Sequence, residues 1–114
     1  MALSRLGDVD KDVVRTCLVA IMEGPWIEDW EFQTRLGIDR DALRELLAAW
    51  PLLDDTTESS PARLAINNCM NEVCHGVPIA AEEWPRWFKM SRDEVGAAYR
   101  KWAKLAGYSH TGLR

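Results

Sequence analysis

Histidine is nearly missing from this sequence: His75 and His110 are the two in 114 residues. Nucleophile–base arrangements of the Ser–His or Cys–His kind therefore have little to be built from. Cysteine is scarce too. Cys17, Cys69 and Cys74 are an odd number set in apolar helical patterns, which reads as reduced, buried thiols rather than a disulfide framework. Cys69, Cys74 and His75 lie close together, but no second Cys-x-x-Cys accompanies them, so no metal site is expected. No Gly-rich phosphate loop is present. The carboxylate pairs Asp54-Asp55 and Glu82-Glu83 fall in a linker and at a helix start, where they read as solvated charge. Neither catalysis, a cofactor nor a small-molecule substrate is expected.

No apolar run approaches the ~18 residues a membrane span needs. Residues 1–11 hold no apolar stretch behind a basic start, so a secretory leader is not expected and the chain is read as cytoplasmic. A surplus of cations is also missing. The net charge is −4, which excludes a generic nucleic-acid coat, because non-specific binding rests on many cations meeting phosphates.

What is present points to a helical core. Apolar types are 47% and Trp alone contributes six residues, enough for a single small domain anchored by aromatics. The charge is split. Residues 1–60 carry six Lys/Arg against thirteen Asp/Glu, a net −7, and residues 61–114 carry eight against five, a net +3. Such asymmetry suggests that the halves face different partners, or each other.

The chain also matches itself without gaps at an offset of 52 residues: Cys17 with Cys69, Gly24 with Gly76, Ile27 with Ile79, Glu31 with Glu83, Arg40 with Arg92, Asp41 with Asp93 and Trp50 with Trp102. Apolar positions between these identities correspond as well, among them Phe32 with Trp84, Leu36 with Phe88 and Leu43 with Val95. The expected fold is therefore all-α: two pseudo-symmetric three-helix units, residues 9–50 and 61–103, joined by the polar, acidic linker 51–60 and followed by a frayed tail, 106–114, all in one domain. The first helix of unit one is placed at about 11–23 with Asp8 or Asp10 as its cap, and that of unit two begins at Ser60-Pro61. The second helices are placed at about 28–36 and 81–88, and Pro85 must lie in a first turn. The third helices start at the caps Asp39 and Ser91 and are expected to bury Leu43, Leu46, Leu47 and Trp50, then Val95, Ala98, Tyr99 and Trp102.

Leu36-Gly37-Ile38-Asp39 joins a short helix to an amphipathic one through a tight turn. This resembles the helix-turn-helix of the trihelical superfamily. Phe88-Lys89-Met90-Ser91 has the same layout but puts Lys89 where glycine is usual. The resemblance covers residues 28–50 and 80–102. It implies that the third helix of the second, basic unit reads DNA, with Arg92 at base edges and Lys89, Arg100, Lys101 and Lys104 near phosphate. Asp93 and Glu94 oppose that reading, and the same arginines also suit a plain solvated surface.

A second class of function rests on other residues. Trp26 and Trp30 are four apart, placed on the acidic second helix, and face Pro78 and Glu82 at the offset. An aromatic pair held by one repeat alone suits packing against the other unit or against a partner chain. Asn67, Asn68 and Asn71 crowd one short helix although Asn is a poor helix former. They suit either recognition of a partner or an amide tie from that helix to the linker. The sequence is thus read as a protein-interaction, adaptor or regulatory module, self-associating or bound to another protein through Trp26, Trp30, Asn67 and Asn71, with DNA binding as the alternative.

Overall fold

Helix punctuation decides most of the architecture. The computed structural model describes residues 1–108, and within them there are six α-helices and no strand. They are α1 (Asp8–Glu23), α2 (Asp29–Leu36), α3 (Arg40–Ala48), α4 (Pro61–Asn71), α5 (Trp84–Trp87) and α6 (Arg92–Ala106), with a 3-10 turn at Leu3–Arg5 and a π-helical turn at Glu72–Gly76. Asp39 caps α3 by accepting the Ala42 N–H at 2.8 Å. Ser60 caps α4 ahead of Pro61. Ser91 and Glu94 form a reciprocal capping box on α6, at 3.1 and 2.9 Å.

Several boundaries differ from expectation. The cap of α1 is Gly7, and Asp8 and Asp10 lie in the first turn, where carboxylates meet the positive helix end. Gly24 ends α1 with an extended φ of −74°, so its role is space: a Cβ there would meet the Trp26 ring at 2.1 Å. Gly37 does supply the left-handed turn after α2, at φ 82°. Lys89 does not follow it, since no described non-glycine residue has positive φ. That second turn opens instead through an extended Phe88. The second helix of the basic half shrinks to α5, with Pro85 in its first turn.

The core is layered on α1 and α4, which pack against each other. Both also contact α6, while α3 lies on α1 and α2 on α4. Val14, Cys17, Leu18 and Ile21 of α1 meet Ala65, Ile66, Cys69 and Met70 of α4, all buried. Trp102, Tyr99 and Phe32 are the largest fully buried side chains. Leu43 is buried as expected, but Leu46, Leu47 and Trp50 are only half covered. For Trp50 the reason is length. Helix α3 stops at Ala48, whereas α6 runs on to Ala106 and carries Trp102 into the interior. The radius of gyration is 12.8 Å, a value near the ~13 Å of a folded chain of this size.

The linker 51–60 is not simply solvated. Leu53 and Asp55 are buried, and Asp55 Oδ2 accepts the Leu3 N–H at 2.7 Å and the Trp102 indole N–H at 2.9 Å. The 3-10 turn is thereby fastened to α6. At the other end, Gly107 closes α6 in a left-handed cap and Tyr108 packs beside Trp102 and under Arg63. Residues 106–108, expected in a frayed tail, are thus held by the fold, and 109–114, including His110, lie outside the described residues.

Candidate functional site

Helices α3 and α6 each begin with an arginine, half-buried at Arg40 and exposed at Arg92, and each guanidinium is stacked on a ring. The Arg40 guanidinium lies over the Phe32 ring and the Arg92 guanidinium over the Trp84 ring, each 4.3 Å from the centroid. Arg40 Nη2 donates to the Ile27 carbonyl at 2.8 Å, and Arg92 Nη2 donates to the Ile79 carbonyl. Arg40 is further saturated by the Met22 carbonyl and by Asp29 at 2.8 Å. Arg92, named above for base contact, is thus already held by its own half of the chain. Lys101 reaches from α6 to Asp10 of α1 at 2.9 Å. Lys89, Arg100 and Lys104 are exposed and make no ion pair among the described residues.

The two tryptophans do not form one surface. Trp26 lies in the connector ahead of α2, half-buried, with its ring edge-on to Trp87 at 5.3 Å. Trp30, in the first turn of α2, is 80% exposed. It borders a shallow depression of about 510 Å³ lined also by Pro25, Glu28, Asp29 and Arg40. A carboxylate-rimmed indole is the result.

The asparagines act within the fold. Asn67 accepts the Tyr99 phenolic O–H at 2.6 Å, and Asn68 donates to the Leu36 carbonyl at 2.9 Å, where α2 ends against Gly37. The amide tie from α4 therefore runs to α2 and α6 and not to the linker, because α4 packs between those helices. Asn71 is half-buried at the last position of α4.

Sequence periodicity missed the region that follows. Glu72 is buried and paired with Arg35 of α2, whose Nε donates to Oε2 at 3.0 Å. The carboxylate lies over Gly76, where a Cβ would sit 1.9 Å from Oε1. The backbone here widens to a π turn, with Val77 N–H donating to the Glu72 carbonyl at 2.9 Å. Between this turn and α6 lies a cleft of about 330 Å³, lined by Val73, Cys74, His75, Trp84, Arg92, Asp93, Val95, Gly96, Tyr99 and Arg100. Burial pushes the Cys74 thiol up, against a smaller opposing pull from Arg100 and Arg92. Burial likewise raises the Tyr99 phenol to about 12. The sequence did hold a signal for this cleft. Cys74 and Gly96 stand where the first half has the larger Met22 and Arg44.

No group of three His, Cys, Asp or Glu side chains able to hold a metal occurs among the described residues. No helix among them is long and apolar enough to cross a membrane. Comparison with protein-family models, curated proteins and solved structures finds no match to this chain.

Proposed function

We propose that the protein is a non-catalytic interaction module, adaptor or regulator in role, built from two helix-turn-helix-like units, and that its partner is a second copy of itself. The two-unit reading is supported by side chains 52 residues apart that do the same work. Arg40 and Arg92 share the ring-and-carbonyl seat, Asp39 and Ser91 both cap, and Cys17 and Cys69 are both fully buried.

The observation that carries the interaction reading is Trp30. An indole left 80% exposed at the start of an acidic helix is the kind of anchor that interfaces enclose. Charge complementarity selects the partner. The half that bears Trp30 is −7 and the other half +3, so a two-fold pair lets each acidic half meet a basic one, twice. Sedimentation velocity at micromolar concentration tests this: a dimer is expected, weakened by Trp30→Glu and by added salt. A monomer at ~100 μM, far above the affinity a specific dimer needs, overturns it.

DNA binding is the second reading, favoured by Lys89, Arg100 and Lys104, exposed cations of the basic half that make no ion pair among the described residues. In it Arg92 would act with the guanidinium donors that the Ile79 carbonyl leaves open, one face of the group being covered by the Trp84 ring. Retention of a random duplex pool at low salt, lost as salt rises and reduced alike for all sequences by Lys104→Ala, would support it. No retention above ~100 μM protein rules out even non-specific affinity.

A further inference from the structure

We propose that the cleft between the π turn and α6 is a binding site for a compact monoanion, a carboxylate carried on a flat apolar body. It goes beyond the interaction reading and uses different residues. The starting point is a difference between the two halves. In the first half, Arg40 is saturated by Met22, Ile27 and Asp29. Its counterpart Arg92 donates to Ile79 from Nη2 alone among the described residues. The π turn at Glu72–Gly76 spans the position that corresponds to Met22, and Ala81 stands where the first half has Asp29. Two smaller side chains then leave room: Cys74 replaces Met22, and Gly96 replaces Arg44. The cleft there measures about 330 Å³, at the lower end of the ~300–1,000 Å³ range of small-molecule pockets.

The lining selects the ligand. Arg92 and Arg100 supply two cations and Asp93 one anion, so the cleft carries a surplus of one positive charge. That favours a monoanion over a dianion, which Asp93 would repel. A guanidinium presents parallel N–H donors that match the two oxygens of a carboxylate. Arg100 makes no ion pair among the described residues, so its donors are open to a ligand, and Arg92 is already oriented by its stack on the Trp84 ring. The other walls, Val73, Val95 and Tyr99, are buried and apolar or aromatic, which suits a flat hydrocarbon body.

Benzoate is the probe, titrated into the isotope-labelled full chain and followed by amide shifts. Saturable shifts at Cys74, Gly96 and Arg100 are expected below ~10 mM, the range a ligand of this size reaches with ordinary efficiency. Inorganic phosphate should bind at least tenfold more weakly, and Arg100→Ala should weaken benzoate at least tenfold. Gly96→Leu fills the space from inside. A Cβ there meets only Arg100 Nη1, at 3.4 Å, so the fold is retained, with its melting midpoint unchanged or raised, and benzoate binding is lost. Absence of saturation, shifts centred elsewhere, or undiminished binding by a folded Gly96→Leu chain would each overturn the assignment.

Discussion

Trp102 donates its indole N–H to Asp55 Oδ2 across 2.9 Å, and neither side chain is exposed to solvent. The same oxygen accepts the Leu3 N–H at 2.7 Å. One carboxylate oxygen thus joins the N-terminal turn, the connector between α3 and α4, and the centre of α6. Its companion Oδ1 has no partner among the described residues. Asp55→Ala would strand two buried donors and should cost about 2–6 kcal/mol, because each unsatisfied donor forfeits roughly 1–3 kcal/mol. Asp55→Asn keeps one acceptor oxygen and should cost less than Asp55→Ala. Urea unfolding measures both, and equal losses for the two variants would contradict this account of Asp55.

The π turn depends on Glu72 lying over Gly76. Gly76→Ala puts a Cβ 1.9 Å from Oε1 and 2.8 Å from the carboxyl carbon, so the carboxylate must leave Arg35. A loss of about 1–3 kcal/mol is expected for disrupting this charge-assisted pair. Glu72→Ala removes the clash as well as the pair. The two substitutions together should therefore cost less than the sum of each alone, with a coupling of about 0.5–3 kcal/mol. Strict additivity in the double-mutant cycle would show that Gly76 serves some other purpose.

Alkaline pH should unfold the protein through its buried acids. Burial, reinforced by Cys74 and Cys69, holds the Cys17 thiol well above the ordinary range, and burial also raises Cys69 and Cys74. Tyr99 is raised to about 12, chiefly by burial. All four stay neutral when folded and lose their protons first in the unfolded chain. Their contribution is complete below the unfolded values, ~8.5 for thiols and ~10 for tyrosine, and is lost as pH rises toward the folded ones. The urea midpoint should hold between pH 7 and 8 and fall steadily above ~9. The Cys74→Ser chain should fall less steeply. A midpoint that stays level to pH 11 would contradict the burial of these groups.

Local chemistry made much of this fold legible before any coordinates. Ser60-Pro61, Asp39 and Ser91 announce three helix starts, and Gly37 announces a left-handed stop, because each acts within a few residues of itself. What stayed hidden acts across the chain. Asp55 reads as solvated linker charge until Leu3 and Trp102, far away in sequence, are brought to it. Arg92 reads as a free cation until the Ile79 carbonyl and the Trp84 ring are in place. The π turn needs Arg35 from another helix to draw Glu72 over Gly76, and no periodicity encodes that. Trp26 and Trp30 share a spacing, yet the Gly24 bend sends one toward Trp87 and leaves the other outside.

The most direct measurement of self-association by opposite halves is zero-length carbodiimide cross-linking of an equimolar mixture of light and heavy-isotope chains. This chemistry joins carboxylates to lysines that touch. The account predicts mixed-isotope cross-links from Glu28 or Asp29, beside exposed Trp30, to Lys89 or Lys104 of the basic half. Trp30→Glu should abolish these while the intrachain Asp10–Lys101 link remains. If only links within a single isotope form, with the Asp10–Lys101 product present, the acidic face does not meet a second copy, and the proposed pairing is wrong.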